Sequence, residues 1–412
     1  MKPVTVAIVG AGGRGQEYAG YCLEHRGEGK VVAVTEPVTF RREKLRKEHA
    51  IPAENVFSDW KELARRPRLA DAVVIGTQDR MHAEPAIAFA KRGYHMLLEK
   101  PMAPTAEDCR RIVKAAKKAG IIFAVGHVMR YTSYYRKLKS LIDGGAVGDV
   151  MTVEHIEPVG YWHQAHSFVR GHWRNSKVSS FMLLAKSCHD IDILQYLIGR
   201  RCLEVSSFGA LSHFRKEAKP AGAGKRCLAC KIERRCPYSA RKIYLTGAHP
   251  DWVRFAVSDD QSPEGLRRAL KTGPYGRCVY ACDNDVVDHQ VVNLLYEDDV
   301  TAVFTMTAFS MHGGRETRVM GTMGELIAGH KTITHNDFRT GKSVTHDPAR
   351  EAAGGHGGGD EGLMKAFLRA ARHGDPARIL SGPDVSLQTH LTVFAAEEAR
   401  VKGTVEKVAD YL

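Results

Sequence analysis

A doubly wound α/β domain built on a parallel sheet is the fold class predicted for the first 125 residues of this 412-residue chain. Three observations predict it. Val4 to Val9 is a β-branched apolar run followed at once by Gly10-Ala11-Gly12-Gly13-Arg14-Gly15. A second apolar run, Val31 to Thr35, ends in the acid Glu36. Apolar runs and amphipathic segments then keep alternating as far as Val125. Repeating β-α units of this length form a parallel sheet with helices on both faces.

The glycine run is G-x-G-x-x-G in the context it requires, a strand before it and a helix, Gln16 to Glu24, after it. Gly10 permits the tight turn, Gly12 lets backbone N–H groups approach a pyrophosphate, and Gly15 allows close helix–strand packing. Glu36 stands where a carboxylate accepts hydrogen bonds from the ribose hydroxyls of NAD and repels a 2′-phosphate. Arg41 and Arg42 are near enough in sequence to offer a phosphate site instead, so NADP is the alternative. The alternation continues through helix Arg41 to Lys47, a short helix from Trp60 to Ala64, and strand Asp71 to Ile75, which leads into Gly76-Thr77-Gln78-Asp79. Helix Ala83 to Arg92, strand Met96 to Leu98, helix Ala106 to Ala119 and strand Ile121 to Val125 complete it. Glu99-Lys100-Pro101 follows Leu98 directly and so falls at a strand's carboxyl end, the edge where open parallel sheets bind ligands.

These residues carry a resemblance. Gly-Ala-Gly-Gly-Arg-Gly, the His82 helix, Gly93-Tyr-His-Met-Leu-Leu-Glu-Lys-Pro-Met-Ala103 and the later His189-Asp-Ile-Asp-Ile-Leu resemble the glucose–fructose oxidoreductase/inositol dehydrogenase/MocA family over essentially the whole chain. The resemblance implies a Rossmann domain (1–125) followed by a larger α+β domain (126–412) with an open, mostly antiparallel sheet. It implies hydride transfer between a nicotinamide and a secondary alcohol of a sugar, cyclitol or glycoside. A second activity known among relatives is redox-neutral glycoside cleavage by transient C3 oxidation; a non-catalytic NAD-binding regulator is the reading from outside enzymology. The implied cofactor site comprises Gly10, Gly12, Gly13, Arg14, Gly15, Glu36, Arg41, Thr77, Gln78, His82, Glu99 and Lys100. Homodimers or homotetramers are expected on the same ground.

Composition narrows the partners. Net charge is +13, but the basic runs Arg41 to Lys47 and Arg110 to Lys118 alternate with apolar residues as solvated helix faces do. An anionic cofactor or small substrate accounts for the charge better than nucleic acid. No apolar run approaches the roughly 18 residues of a membrane span, and the N-terminus leads straight into a strand, so a cytoplasmic chain is expected.

In the C-terminal half, helix Tyr134 to Ile142 ends at Gly144-Gly145, and Val150 to Glu157 reads as a strand. Arg130 and Tyr131, with His166, Arg170, Trp173 and Arg174 from an aperiodic stretch rich in His, Arg and Trp, are the candidate substrate contacts; a plain surface loop is the competing reading of that stretch. Ser179 to Leu197 reads as one helix on which Met182, Lys186, His189 and Ile193 share a face. The family usually carries an Asp four residues before this His, but here position 185 is Ala. The resemblance therefore implies Lys100 and His189 as catalytic residues, with Lys186 as an added cation that suits an anionic substrate. His189 is the expected general acid/base, since an imidazole exchanges protons near neutral pH.

Nine cysteines are unevenly spread. Within an insertion at about 212–279 lies Cys227-x2-Cys230-x5-Cys236-Pro, and Cys278 to Cys282 lies just beyond. Cys227, Cys230, Cys236 and Cys282 are the expected ligands of a structural zinc. Iron–sulfur and unliganded thiols are the alternatives, with Cys278 as the other fourth ligand. His289 to Tyr296 and Val300 to Ala308 read as a hairpin, and Arg318 to Ile327 as strand–turn–strand. Gly354 to Gly359 reads as a flexible link before a helix from Gly362 to His373, and Pro383 to Lys402 as the last helix.

Overall fold

The computed structural model describes residues 2–329, 331–348 and 355–411. Six strands form the N-terminal sheet: β1 (Val4–Val9), β2 (Gly29–Thr35), β3 (Val56–Phe57), β4 (Ala72–Ile75), β5 (His95–Leu98) and β6 (Phe123–Val125). All pair in parallel in the order β3-β2-β1-β4-β5-β6. The residues facing both helical layers are buried, which is why these strands read as continuous apolar runs rather than alternating ones. Register sets the functional edge. Val9 pairs with Thr35 and Ile75, Ile75 with Leu98, and Leu98 with Val125. The segments that follow these five residues therefore emerge side by side, and the strand order reverses at β1 and β4, the usual ligand crevice of such sheets.

The helices between these strands follow local chemistry. Asp59 and Glu62 form a reciprocal capping box on Trp60–Arg65. Thr105 caps Ala106–Ala119, Lys117 and Lys118 occupy its last turn, and Gly120 closes it at φ +61°.

The second sheet has nine strands: β7 (Val150–Pro158), β8 (Cys202–Ala210), β9 (His289–Tyr296), β10 (Thr301–Thr307), β11 (Glu316–Gly321), β12 (Gly324–Gly329), β13 (Thr332–Asp337), β14 (Lys342–His346) and β15 (Val405–Lys407). Their order is β14-β13-β12-β11-β7-β10-β9-β8-β15, antiparallel except at β7–β10. The expected hairpins are present as β9–β10 and β11–β12. One face packs on helices Cys188–Ile198 and Pro383–Lys402. Leu387 and Phe394 of the latter helix touch the cores of both sheets.

Three expectations change. The helix expected over Ser179 to Leu197 is two pieces, Met182–Ala185 and Cys188–Ile198, broken at Lys186-Ser187. The stretch expected to lack periodicity coils as Tyr161–His163 followed by a π-helix, Gln164–Arg170, whose residues are all buried. The link expected from Gly354 to Gly359 is helical from Gly355, within Gly355–His373; Gly354 lies outside the described residues.

Between β8 and β9 the chain leaves the sheet and builds a small core of its own, with Phe214, Tyr238, Tyr244, Val253 and Leu270 packed against Ala165 and Val169 of the π-helix. Cys227, Cys230, Cys236 and Cys278 line one cavity of about 360 Å³ here. Cys282 does not line it. Its thiol donates to the Cys278 carbonyl at 3.3 Å, and of the two candidate fourth thiols it is Cys278 that faces this cavity.

Candidate active site

The glycine loop is shaped by what a side chain would strike. Gly10 turns at φ +91°, and a Cβ there would meet the Gly76 carbonyl at 2.8 Å; a Cβ on Gly15 would meet the Gly10 carbonyl at 1.9 Å. Around Gly12 and Gly13 nothing lies within 4 Å of that position. The first turn of helix Gly13–Glu24 carries no acid and no side-chain cap, so its N–H groups face this open ground. Glu36 closes the other side. Its carboxylate accepts from the N–H groups of Ala11 (2.8 Å) and Val38 (2.9 Å). These residues fit a dinucleotide: space and donors for a pyrophosphate, and a fixed carboxylate for a ribose.

The other expected cofactor residues divide. Thr77 and Gln78 stand beside the loop, after β4. His82 is buried with its ring nitrogens 2.8 Å from the Pro101 carbonyl and 3.1 Å from that of Thr77, so it braces two loops instead of facing a ligand. Arg14 turns inward to Glu99 (2.7 Å) and Asp360 (2.5 Å). Arg42 donates through Nη1 to the carbonyls of Glu36 and Pro37, beside the Glu36 carboxylate. Arg41 reaches Asp259 of the insertion at 3.8 Å.

Glu99 is buried and accepts from Arg14, from the Tyr18 hydroxyl (2.6 Å) and from the Lys100 backbone N–H (3.0 Å). Burial raises its carboxyl pKa, but Arg14, Tyr18 and Lys100 outweigh this and hold it below the usual carboxylate range. Glu99 thus fixes the Lys100 backbone, while the Lys100 Nζ donates to the Ala185 carbonyl at 3.0 Å. In an unbroken helix that oxygen would accept from the residue four further on. The break at Lys186-Ser187 frees it for the lysine.

Further residues, missed by sequence reasoning, gather here. His127 follows β6 at the same edge, and its ring lies 6.1 Å from that of His189 and 5.5 Å from that of His390. It is fully buried, and neither ring nitrogen has a hydrogen-bond partner among the described residues. His390 accepts from the Met102 N–H at 2.9 Å. Beyond Lys186, Glu157 pairs with the Lys186 Nζ at 2.9 Å and with Arg315 at 2.8 Å, and Arg315 reaches Asp190 at 2.5 Å. Asp190 also faces His155 at 3.1 Å. Lys186 is therefore a neutralised cation rather than the added positive charge expected from sequence. Val153, His155 and Glu157 are the buried alternate positions of β7, and the polar residues at two of them left no apolar alternation to mark the carboxylate in the sequence.

Most expected substrate contacts are spent elsewhere. Arg130 is buried in a two-pronged pair with Asp192 (2.8 Å at each prong) and donates to the Leu380 carbonyl. The Tyr131 hydroxyl accepts from the N–H groups of Leu380 and Ser381. His166 stacks on Tyr275 and faces the Tyr244 hydroxyl, and Arg170 donates to the Arg277 and Tyr238 carbonyls, both within the insertion core. Arg174 forks onto Asp283. Trp173 alone of the six keeps an exposed face. His163, in the turn before the π-helix, stacks on Trp162, and burial, then the charges of Lys186, His166 and Lys100, drive its pKa well below the ordinary value.

Two consequences are measurable. Arg130→Leu leaves the buried Asp192 carboxylate without its cation and should lower unfolding free energy by about 3–5 kcal/mol. A denaturation curve shifted by under about 1 kcal/mol would contradict the pairing. The second concerns acid. Burial pushes His127 down to about 4 and His390 to about 3. Between those values and the unfolded value near 6.5, only the unfolded chain takes up these protons, so stability is full above about pH 6.5 and falls as pH drops toward 4. For His127 alone the loss is about 3 kcal/mol. Melting temperatures that stay level from pH 7.5 to pH 5 would refute it.

Comparison with known proteins follows the same division. A family model described as an oxidoreductase family with an NAD-binding Rossmann fold matches residues 4–127, and its C-terminal alpha/beta domain matches residues 139–406. The putative oxidoreductase YteT of Bacillus subtilis is 24% identical over 354 residues, 81% of this chain and 79% of YteT. Inositol 2-dehydrogenase of Pseudomonas savastanoi pv. phaseolicola is 30% identical over 201 residues, 47% of this chain and 54% of that protein. Among solved structures, levoglucosan dehydrogenase with NADH and L-sorbose superimposes with a TM-score of 0.74 at 18% identity, covering 99% of each chain, a likeness of fold.

Proposed function

The chain belongs to the Gfo/Idh/MocA oxidoreductase family, and from that membership we propose that it oxidises a secondary alcohol of a sugar or cyclitol, with NAD as hydride acceptor. The observation that carries this reading is Lys100. Its ammonium stands at the carboxyl edge of β5, held by the Ala185 carbonyl, one turn from His189. A carbonyl oxygen orients an ammonium without cancelling its charge, whereas the Asp usual in the family would pair with it. Lys100 Nζ is therefore oriented for the substrate oxygen by a neutral carbonyl instead of a carboxylate.

Bound NAD supplies the hydride acceptor; the chain's own groups handle the proton and the oxygen. His189 takes the hydroxyl proton as the carbon–hydrogen pair departs, and Lys100 stabilises the negative charge growing on that oxygen. With Lys186 and Arg315 balanced by Glu157 and Asp190, a neutral polyol fits better than an anionic sugar. Glu36 favours NAD over NADP.

Incubation with NAD and a panel of neutral cyclitols, aldoses and anhydrosugars should yield NADH, and His189→Ala should abolish it while leaving NAD affinity intact. Cleavage of a glycoside without net NADH would instead establish the redox-neutral reaction, and no product from any substrate would end the enzymatic reading. We also infer a homo-oligomer formed through the open sheet face, where Phe208, Ile327, Val344 and Val405 are exposed. A monomer by light scattering would contradict it.

A further inference from the structure

We propose that the insertion holds a [4Fe–4S] cluster on Cys227, Cys230, Cys236 and Cys278, a site separate from the dinucleotide edge. Four thiols from two distant stretches of chain line the same cavity. The convergence is built into the backbone. Residues Arg226 and Arg277 bridge antiparallel, and the Cys278 N–H donates to the Lys225 carbonyl at 3.0 Å, which brings Cys278 beside Cys227. Cys227 and Cys230 form a knuckle closed by Cys230 N–H to the Cys227 carbonyl at 3.2 Å. The Gly224 N–H donates to the Cys230 sulfur at 3.3 Å.

Spacing decides the kind of metal. A tetrahedral zinc with bonds of about 2.3 Å holds its sulfurs about 3.8 Å apart. Among the described residues, the one group of three or more His, Cys, Asp or Glu ligands closing within 4.8 Å is Glu24, His25 and Glu361, which contains no cysteine. The four thiols instead stand apart around a cavity of about 360 Å³. A cluster core separates its thiolates because irons and sulfides lie between them. Its cysteine pattern, a C-x2-C pair and a third cysteine followed by proline, also occurs in iron–sulfur proteins.

Charge supplies the second, independent observation. Arg170 is fully buried in the wall of this cavity, and its Nη2 donates to the Cys227 sulfur at 3.4 Å. Its other donations go to the Arg277 and Tyr238 carbonyls, and Nη1 has no partner among the described residues. Among the described residues Arg170 forms no ion pair with a carboxylate, and a buried guanidinium left so is costly. Thiolates of a cluster with net negative charge supply the missing counter-ion. Arg170 ends the π-helix, and His163, whose titration Lys100 and Lys186 influence, immediately precedes it. The cluster would therefore anchor the π-helix to the insertion; no electron transfer is required of it.

Protein purified without oxygen, or reconstituted anaerobically with sulfide and equal amounts of ferrous and ferric iron, should contain four irons and four acid-labile sulfides per chain. It should show a broad visible absorption that dithionite bleaches, with a low-temperature EPR signal from the reduced state. Cys236→Ser and Cys278→Ser should each lose iron while still binding NAD, which reports that the rest of the chain has folded. Cys282→Ser should keep all four irons. One zinc and no iron, two irons per chain, iron retained by both Cys236→Ser and Cys278→Ser, or no metal after reconstitution would each overturn the proposal.

Discussion

Lys100→Met should lower kcat by about a thousandfold and leave the NAD dissociation constant within about threefold of the parent. The size follows from what the ammonium does. Deleting one preorganised donor from a developing oxyanion costs about 2.7–4 kcal/mol, or 10²–10³ in rate. Loss of its influence on the proton transfer adds to this. The lysine is fixed at both ends: its backbone N–H by Glu99, which Arg14 and Tyr18 hold, and its Nζ by Ala185. Methionine matches the length of the stem and removes the charge, so the fold should persist. Single-turnover measurements with saturating NAD isolate the chemical step. A kcat within about tenfold of the parent would remove Lys100 from the chemistry and return weight to His189 alone. Ala185→Asp sharpens the test. A carboxylate there would pair with the ammonium, and a changed kcat is expected, because the pair would compete with the substrate oxygen for the same donor.

Much of this arrangement could be read from the residues, and the reason is local. The glycine loop, Glu36 and Glu99-Lys100 each follow a strand directly, so strand positions place them, and parallel register carries them to one edge. Position along a strand is a short-range property. What failed was long-range. Arg130, Arg170 and Arg174 have the composition of ligand contacts, but which carboxylate or carbonyl meets a guanidinium depends on residues 60 to 250 positions away. The helix break at Lys186-Ser187 was hidden for a similar reason. The helical spacing of Met182, His189 and Ile193 is continuous, and the contacts at the break come from Glu157 on β7 and from Lys100, just after β5. β13 and β14 were missed because their residues are largely polar, half-exposed on β13 and almost all exposed on β14, giving weak alternation. The fourth thiol of the cysteine set turned on a single backbone bridge between Arg226 and Arg277.

Gly12→Val should weaken NAD binding at least about a hundredfold, roughly 2.7 kcal/mol, with an unchanged melting temperature. Gly15→Ala should do the reverse in order of cause, losing the fold of the loop first and binding as a result. The two glycines differ in what surrounds them. At Gly15 a Cβ would sit 1.9 Å from the Gly10 carbonyl, backbone against backbone, so strand β1 and helix Gly13–Glu24 must part. At Gly12 the backbone is extended at φ −70°, which any residue adopts, and no protein atom lies within 4 Å of the new Cβ. Conformation and packing therefore give no reason for glycine at position 12. The reason must be something that approaches from outside, and the uncapped N–H groups of the following helix identify it as an anion. Titration with NADH, followed by its fluorescence, measures the loss, and a thermal melt of the apo-protein separates it from unfolding. Tight binding by Gly12→Val would mean that the pyrophosphate does not lie across this loop.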